Sequence, residues 1–494
     1  MTSRPALVVR PRTGAEAAAA VVTAVRSGSR YDVARTTSSP DDRGIAFHRM
    51  HVAAGTVGAV GRQGAPMQSG RAPASHAPLS RRRLFGLSAG AFLAAGCSGS
   101  GDGDDRGNGT TGKPESKESA RPRAAAPDGA LGANFNEDPT YVDKAALDGL
   151  GTSWVRGFTV LDRVKGGMAA ERLRAVRTLL DLHGQGFGTI LALKFQFRKE
   201  GRTVPAPGSR EMRAELAAVD KVLEAVLDKV EILTLGNEPF LETRPQERQT
   251  KLNPFYQAVA KHVIDYRDEH FPDGCRTRLH MGALNHLDDP AMLSDATEEW
   301  IDFVNRTSQL DGLDMHPHVT SAGAAQKYLD YVLPRLDSGK KFLVTEFSLV
   351  NHYQRQMPKP LPAPFLTAHG KELGLGRDTR VWQFLRAAVE RPLTEEQWRD
   401  FLRMSPWFED HKHFMRDQVT AYRETGRLAV ATYGVVQGKA SVRDITGKTK
   451  PWMLNSLYVP RTVRHERGAP LPRTYTVSDD FAALQREQDR LLKS

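Results

Sequence analysis

The sequence predicts a (β/α)8 barrel of the TIM class, set behind a signal peptide and a flexible linker. Three observations predict it. Eight short apolar runs recur from residue 131 onward, with stretches of helical period between them. No glycine-rich phosphate turn follows the first run, which argues against a doubly wound sheet. The span of roughly 360 residues suits eight strand–helix repeats.

The chain divides by composition before it divides by fold. Its 494 residues carry 69 Lys and Arg against 58 Asp and Glu, a formal net charge of +11. Residues 1–97 hold 13 Arg, no Lys and 4 acidic residues, so +9 of that charge sits in the leader. The rest is almost neutral, so no polyanion-binding surface is expected and nucleic acid is not a partner.

Within the leader, "SRRRLFGLSAGAFLAAGCSGS" places Arg81, Arg82 and Arg83 before a short apolar stretch and Cys97 after it. About a dozen apolar residues fall short of the roughly 20 that span a bilayer, so 67–97 reads as a signal peptide. Arg82-Arg83-Leu84-Phe85 resembles a twin-arginine export signal. Leu93 to Cys97 resembles a bacterial lipobox, with Cys97 as the lipidated first mature residue. Translation is expected to start at Met67, with 1–66 a mis-assigned or disordered extension. Residues 98–130, rich in Gly, Ser, Pro and charge, form a solvated tether. The expected location is the outer face of a bacterial cell membrane or the medium, with membrane contact only through Cys97. A monomer is expected.

The candidate strands are Leu131–Phe135, Ser153–Phe158, Thr189–Phe195, Val230–Leu235, Arg278–Ala283, Leu310–Met315, Lys341–Thr345 and Leu428–Val435. Between them, Leu173, Val176 and Leu180 share one helical face, as do Leu216, Val219, Leu223 and Val226. The barrel domain is bounded at 131–460, with a helical insertion near 377–427 and a C-terminal tail or helix over 461–494. The insertion, which carries Trp382, Trp398 and Trp407, is expected to hold extra helices that roof one side of the site.

Active groups of such barrels sit where strands end. "LTLGNEPF" ends the fourth run on Asn237 and Glu238, and Pro239 biases Glu238 toward an extended backbone. "FLVTEFSLV" ends the seventh on Glu346. Two carboxylates facing each other across a cleft are what glycoside hydrolysis needs, one protonated and one ionised. The competing readings are a helix-capping role for Glu238 and a structural ion pair for Glu346. Glu242 lies beyond the turn and reads as solvated. Asp314, His316 and His318 alternate as strand residues do and suggest zinc, but no third ligand of suitable spacing is apparent. No metal and no cofactor are expected. Trp452 is expected to dock the last helix, and Cys275 reads as a loop thiol.

These two motifs, on the fourth and seventh strands of eight, resemble clan A of the glycoside hydrolases over roughly residues 131–460. The resemblance implies Glu238 as acid/base, Glu346 as nucleophile and retention of anomeric configuration. It implies that Asn237 binds a sugar 2-hydroxyl and that Arg156, in "SWVRGF", keeps the nucleophile ionised. It places His316 near the nucleophile, and Tyr433 where the clan often has a Trp as sugar platform. The expected activity is retaining hydrolysis of a β-linked glycoside or polysaccharide. The rivals are a non-catalytic carbohydrate-binding lipoprotein on the same barrel and a transglycosidase remodelling surface glycan.

Overall fold

The computed structural model describes residues 127–491. The extension, the signal peptide with Cys97 and nearly all of the tether lie outside the described residues. Eight parallel strands close on themselves in sequence order. They are β1 (Ala130–Asn134), β2 (Trp154–Val160), β3 (Gly188–Lys194), β4 (Ile232–Leu235), β5 (Arg278–Asn285), β6 (Gly312–His316), β7 (Lys341–Val344) and β8 (Leu428–Gly434). Closure is made by β1 against β8, where Ala130 faces Val430 and Asn134 faces Gly434. All eight expected strands form, with ends shifted by one or two residues. Burial on both faces explains their continuous apolar character; β4 and β8 have no exposed position.

The barrel interior holds a small cluster drawn only from strands, among them Ala130, Ile190, Ile232, Leu343 and Val430. A much larger apolar layer lies between strands and helices. The helix Arg210–Val226 illustrates the local logic. Ser209 caps it by accepting from the Met212 N–H, and Val219, Val222, Leu223 and Val226 turn inward. In Arg174–Gly184 the buried face is Val176, Leu179 and Leu182, so the expected Leu180 sits at its edge.

Between β7 and β8 the chain adds helices at Ala363–Leu373, Val381–Glu390 and Glu395–Arg403 before Phe414–Glu424 returns it to the barrel. Their tryptophans do not line the cleft. Trp398 is fully buried beside Phe401, and Trp407 packs edge-on to Tyr353. The last helix, Val477–Leu491, hydrogen-bonds through Gln485 to the Leu131 carbonyl at 2.7 Å. No described helix is long and apolar enough to cross a membrane.

Candidate active site

The turn after β4 is built from two glycines. Gly236 has φ +114°, and a side chain there would strike Pro239 and Tyr256. A side chain at Gly282 on β5 would collide with the Gly236 carbonyl at 2.5 Å. The close approach swings the chain so that Glu238 adopts φ 53°, ψ 53°. This corrects the extended backbone expected before Pro239, since the proline disfavours only the right-handed helical region. A left-handed glutamate is strained by about 1–3 kcal/mol, which the surrounding packing sustains. Its carbonyl accepts from the Leu241 and Glu242 N–H groups, while its carboxylate makes no capping hydrogen bond. The carboxylate is therefore free to face the cleft, and the helix-capping reading falls away.

Glu238 and Glu346 both line a cleft of about 330 Å³ at the strand C-termini. Between them stands His316, at the end of β6. Its Nδ1 is 3.5 Å from Glu238 Oε1 and 3.8 Å from Glu346 Oε1. Its Nε2 faces Thr345 Oγ1 at 2.9 Å and Asp314 at 3.2 Å. Asp314, also buried, accepts from the Thr345 backbone N–H at 3.0 Å. On the far side, Arg156 from β2 donates to Glu346 at 2.6 Å, to Asn237 and to Asn134 at 3.2 Å. Arg156 is fully buried, so the pair is an ion pair, yet Glu346 keeps an open face to the cleft.

The charges follow from this arrangement. Burial and the Glu346 charge push Glu238 upward, but the His316 hydrogen bond, its charge and Lys194 outweigh them and hold the carboxyl at about 2. Burial also raises Glu346, and the charges of His316 and Arg156 with His318 drive it well below the ordinary carboxylate range. Burial opposes a charge on His316, but Glu346, Asp314 and Glu238 lift it to about 9. At neutral pH both glutamates are thus ionised, and the one mobile proton of the trio rests on the imidazole. Mutual repulsion tends to split two facing carboxyls, and here the cations around them outweigh it.

Sequence reasoning missed several neighbours. Asn285, on β5, donates to Glu238 Oε1 at 2.9 Å. Lys194 at the end of β3 lines the cleft, sits 4.8 Å over the Phe158 ring, and pairs with Glu242 at 2.8 Å. Glu242 is consequently a mostly buried partner of Lys194 and not a solvated charge. His318 is buried with Nε2 3.6 Å from Glu346 and Nδ1 2.8 Å from Ser348 Oγ. Lys194 and Asn285 follow no distinctive local pattern; strand-end position was the only available signal.

Two aromatic assignments exchange places. Tyr433 is buried against Phe347, and its hydroxyl donates to Asn455 Oδ1 at 2.6 Å, so it offers no ring face to a sugar. Trp452, expected against the last helix, lines the cleft and stands edge-on to His318 at 5.0 Å. Asn237 lines the cleft as well, with its Oδ1 held by Arg156.

Glu238, His316 and His318 each place one donor atom in a group whose members lie within 4.8 Å of one another. This supplies the third donor not apparent from sequence, and it is Glu238 in place of Asp314. The same group lies beside the Arg156–Glu346 pair. Two imidazole nitrogens and one carboxylate oxygen are also donors that a divalent cation accepts.

No protein-family model and no curated protein matches the sequence. Among solved structures the chain is similar to a family 39 glycoside hydrolase from the gut symbiont Bacteroides cellulosilyticus, at 15% identity and TM-score 0.32, covering 47% of this chain and 54% of that one. This chain thus spans about half the length of that relative. A GH113 beta-1,4-mannanase matches at 10% identity and TM-score 0.34, over 72% of this chain and 98% of that one. Penicillium canescens endo-1,4-beta-xylanase XylE matches at 11% identity and TM-score 0.40, over 72% and 94%. The barrel assignment rests on the pairing of its eight strands, and any functional reading on the site's own geometry.

Proposed function

We propose that the protein is an exported retaining glycosidase acting on a β-linked glycoside by double displacement. The observation that carries this reading is the pair Glu238 and Glu346 bracketing one nitrogen of His316 in an open cleft. The two carboxylate oxygens lie no farther apart than those distances laid end to end, about 7 Å. That ceiling on one oxygen pair is compatible with the roughly 5–5.5 Å between the carboxyl groups of a retaining pair.

In this reading Glu346, ionised beside Arg156, attacks the anomeric carbon. The leaving oxygen takes a proton from Glu238, which receives it from the His316 Nδ1–H across 3.5 Å. Glu238 then removes a proton from the water that releases the glycosyl-enzyme. Asn237 beside Glu238 meets the sugar hydroxyl next to the reacting carbon, and Trp452 supplies an aromatic wall. The chemistry needs no cofactor. Export and tethering through lipidated Cys97 complete the proposal, supported by the basic and apolar pattern before that cysteine.

The test is labelling of the soluble domain with 2-deoxy-2-fluoro glycosides, read by intact mass and peptide mapping. A stable adduct on Glu346, absent in Glu346→Gln, is the expected result. An adduct on another carboxylate overturns the assignment. Absence of any adduct together with glycan binding points to the non-catalytic carbohydrate-binding rival.

A further inference from the structure

The cleft that Trp452 lines also carries Lys194 and Lys439, and Lys450 stands against the Trp452 ring. The acidic residues of the cleft outside the glutamate pair are already neutralised. Glu137 pairs with Arg163, and Asp138 lies 3.4 Å from both Arg174 and Arg461. Glu242 pairs with Lys194. Lys439 also lines the cleft and is exposed. Lys450 differs from all of these. It is half-buried, its Nζ stands 5.9 Å from the centre of the Trp452 ring, and no carboxylate lies within 4.0 Å of it among the described residues.

A half-buried ammonium keeps only part of its hydration, so an anionic partner beside it is favourable. Burial accordingly lowers the Lys450 pKa, and the Glu238 charge restores only part of it. Its ammonium stands beside Trp452, and Trp452 lines the cleft together with Glu238. An anionic substituent on a ligand in that cleft supplies such a partner, as a charge-assisted hydrogen bond to a single ammonium.

We infer that the Trp452 side of the cleft binds a negatively charged sugar unit, a uronic acid, with Lys450 as the counter-ion to its carboxylate. This rests on the glycosidase reading for the site but not on turnover. A neutral glycan can stack on Trp452 equally well; what distinguishes the uronate is the compensation of Lys450.

The experiment compares oligosaccharides that differ only in carrying a carboxylate or a hydroxymethyl group at one carbon. Glucuronan tetrasaccharide is set against cellotetraose, and β-mannuronan tetrasaccharide against mannotetraose. A 6-O-sulfated cellotetraose distinguishes sulfate from carboxylate. Binding is followed by tryptophan fluorescence and calorimetry, with Glu346→Gln as the background that prevents turnover. The expected result is binding at least about tenfold tighter for one uronate than for its neutral match. That advantage shrinks as salt rises. Lys450→Met abolishes it while leaving neutral affinity unchanged, and Lys450→Arg keeps it. Equal affinity, preference for the neutral or sulfated ligand, an advantage that survives Lys450→Met, or no binding by any uronate each overturns the inference. Labelling of Glu346 by neutral and uronic 2-fluoro donors is read separately. A neutral sugar can thus establish the glycosidase while the uronate fails.

Discussion

Replacing His316 with Asn removes the proton store of the site. In the intact protein Glu238 sits at about 2 and His316 at about 9, so between those limits the pair carries one proton. The proposed first step requires that proton on Glu238 while Glu346 is ionised, so kcat/KM should fall on the basic side near pH 9. In His316→Asn the hydrogen bond and charge that depress Glu238 vanish. Burial and the Glu346 charge then dominate and raise its carboxyl above the ordinary value of 4.5. The basic limb therefore moves down from about 9 to the new Glu238 pKa. General-acid assistance is worth about 10²–10⁴-fold, so a loss of that size is expected at pH 8 and a smaller one at pH 5. A dinitrophenyl glycoside, whose leaving group needs no proton, should lose far less. The assay is kcat/KM between pH 4 and 10 for a natural and an activated substrate, with thermal unfolding as the folding control. A basic limb still near pH 9 in the variant, or equal losses for both substrates, refutes the proton-store argument. Stability carries the same sign. His316 gains its proton on folding, so its contribution is complete below its unfolded value of 6.5 and is lost as pH rises through about 9.

The surrounding contacts set further outcomes. Arg156→Met leaves Glu346 and Asn237 without their buried partner, and a loss of about 3–5 kcal/mol is expected in denaturant unfolding; an unchanged midpoint refutes the role given to the pair. Trp452→Ala should raise KM several-fold, in line with about 0.5–1.5 kcal/mol for an aromatic contact. Tyr433→Phe should leave KM alone and lower stability by about 1 kcal/mol through the lost bond to Asn455; a KM effect from Tyr433 alone would return the sugar platform to that residue. His280 on β5 is buried, with neither ring nitrogen partnered among the described residues, and burial holds it at about 4 against an unfolded 6.5. The unfolded chain therefore binds the proton first, and stability falls by up to about 3 kcal/mol as pH drops from 6.5 to 4. His280→Leu should flatten that acid slope, as read by urea unfolding at each pH; an unaltered slope assigns the acid sensitivity elsewhere.

Legible in the sequence alone is whatever local physics encodes. Apolar runs of strand length and intervening helical periods specify eight repeats, because burial on both faces of a parallel strand leaves a continuous apolar signature. A carboxylate at the end of such a run, as at Glu238 and Glu346, is exposed to inference for the same reason. It stops an apolar pattern that has no use for it. The roles of Asn237, Arg156 and His316 follow only from the resemblance, since nothing within a few residues of each says what it faces. Barrel closure decided the rest. It set Arg156 against Glu346 across 190 residues of chain and put His316 between two glutamates. It also brought Lys194, Asn285 and His318 to the same cleft. The backbone at Glu238 shows the boundary most directly. The local rule for a residue before proline favours an extended chain, but the packing of Gly236 against Gly282 forces a left-handed turn. Likewise Tyr433 and Trp452 are both aromatic residues near the end of the barrel, and only packing against Phe347 and Asn455 turns the first away from the cleft and leaves the second facing it. Strand period and helix period act over a few residues and are written in the chain. Which side chains share a charge, a proton or a ligand depends on contacts between residues tens to hundreds of positions apart, and these exist only once the barrel has closed.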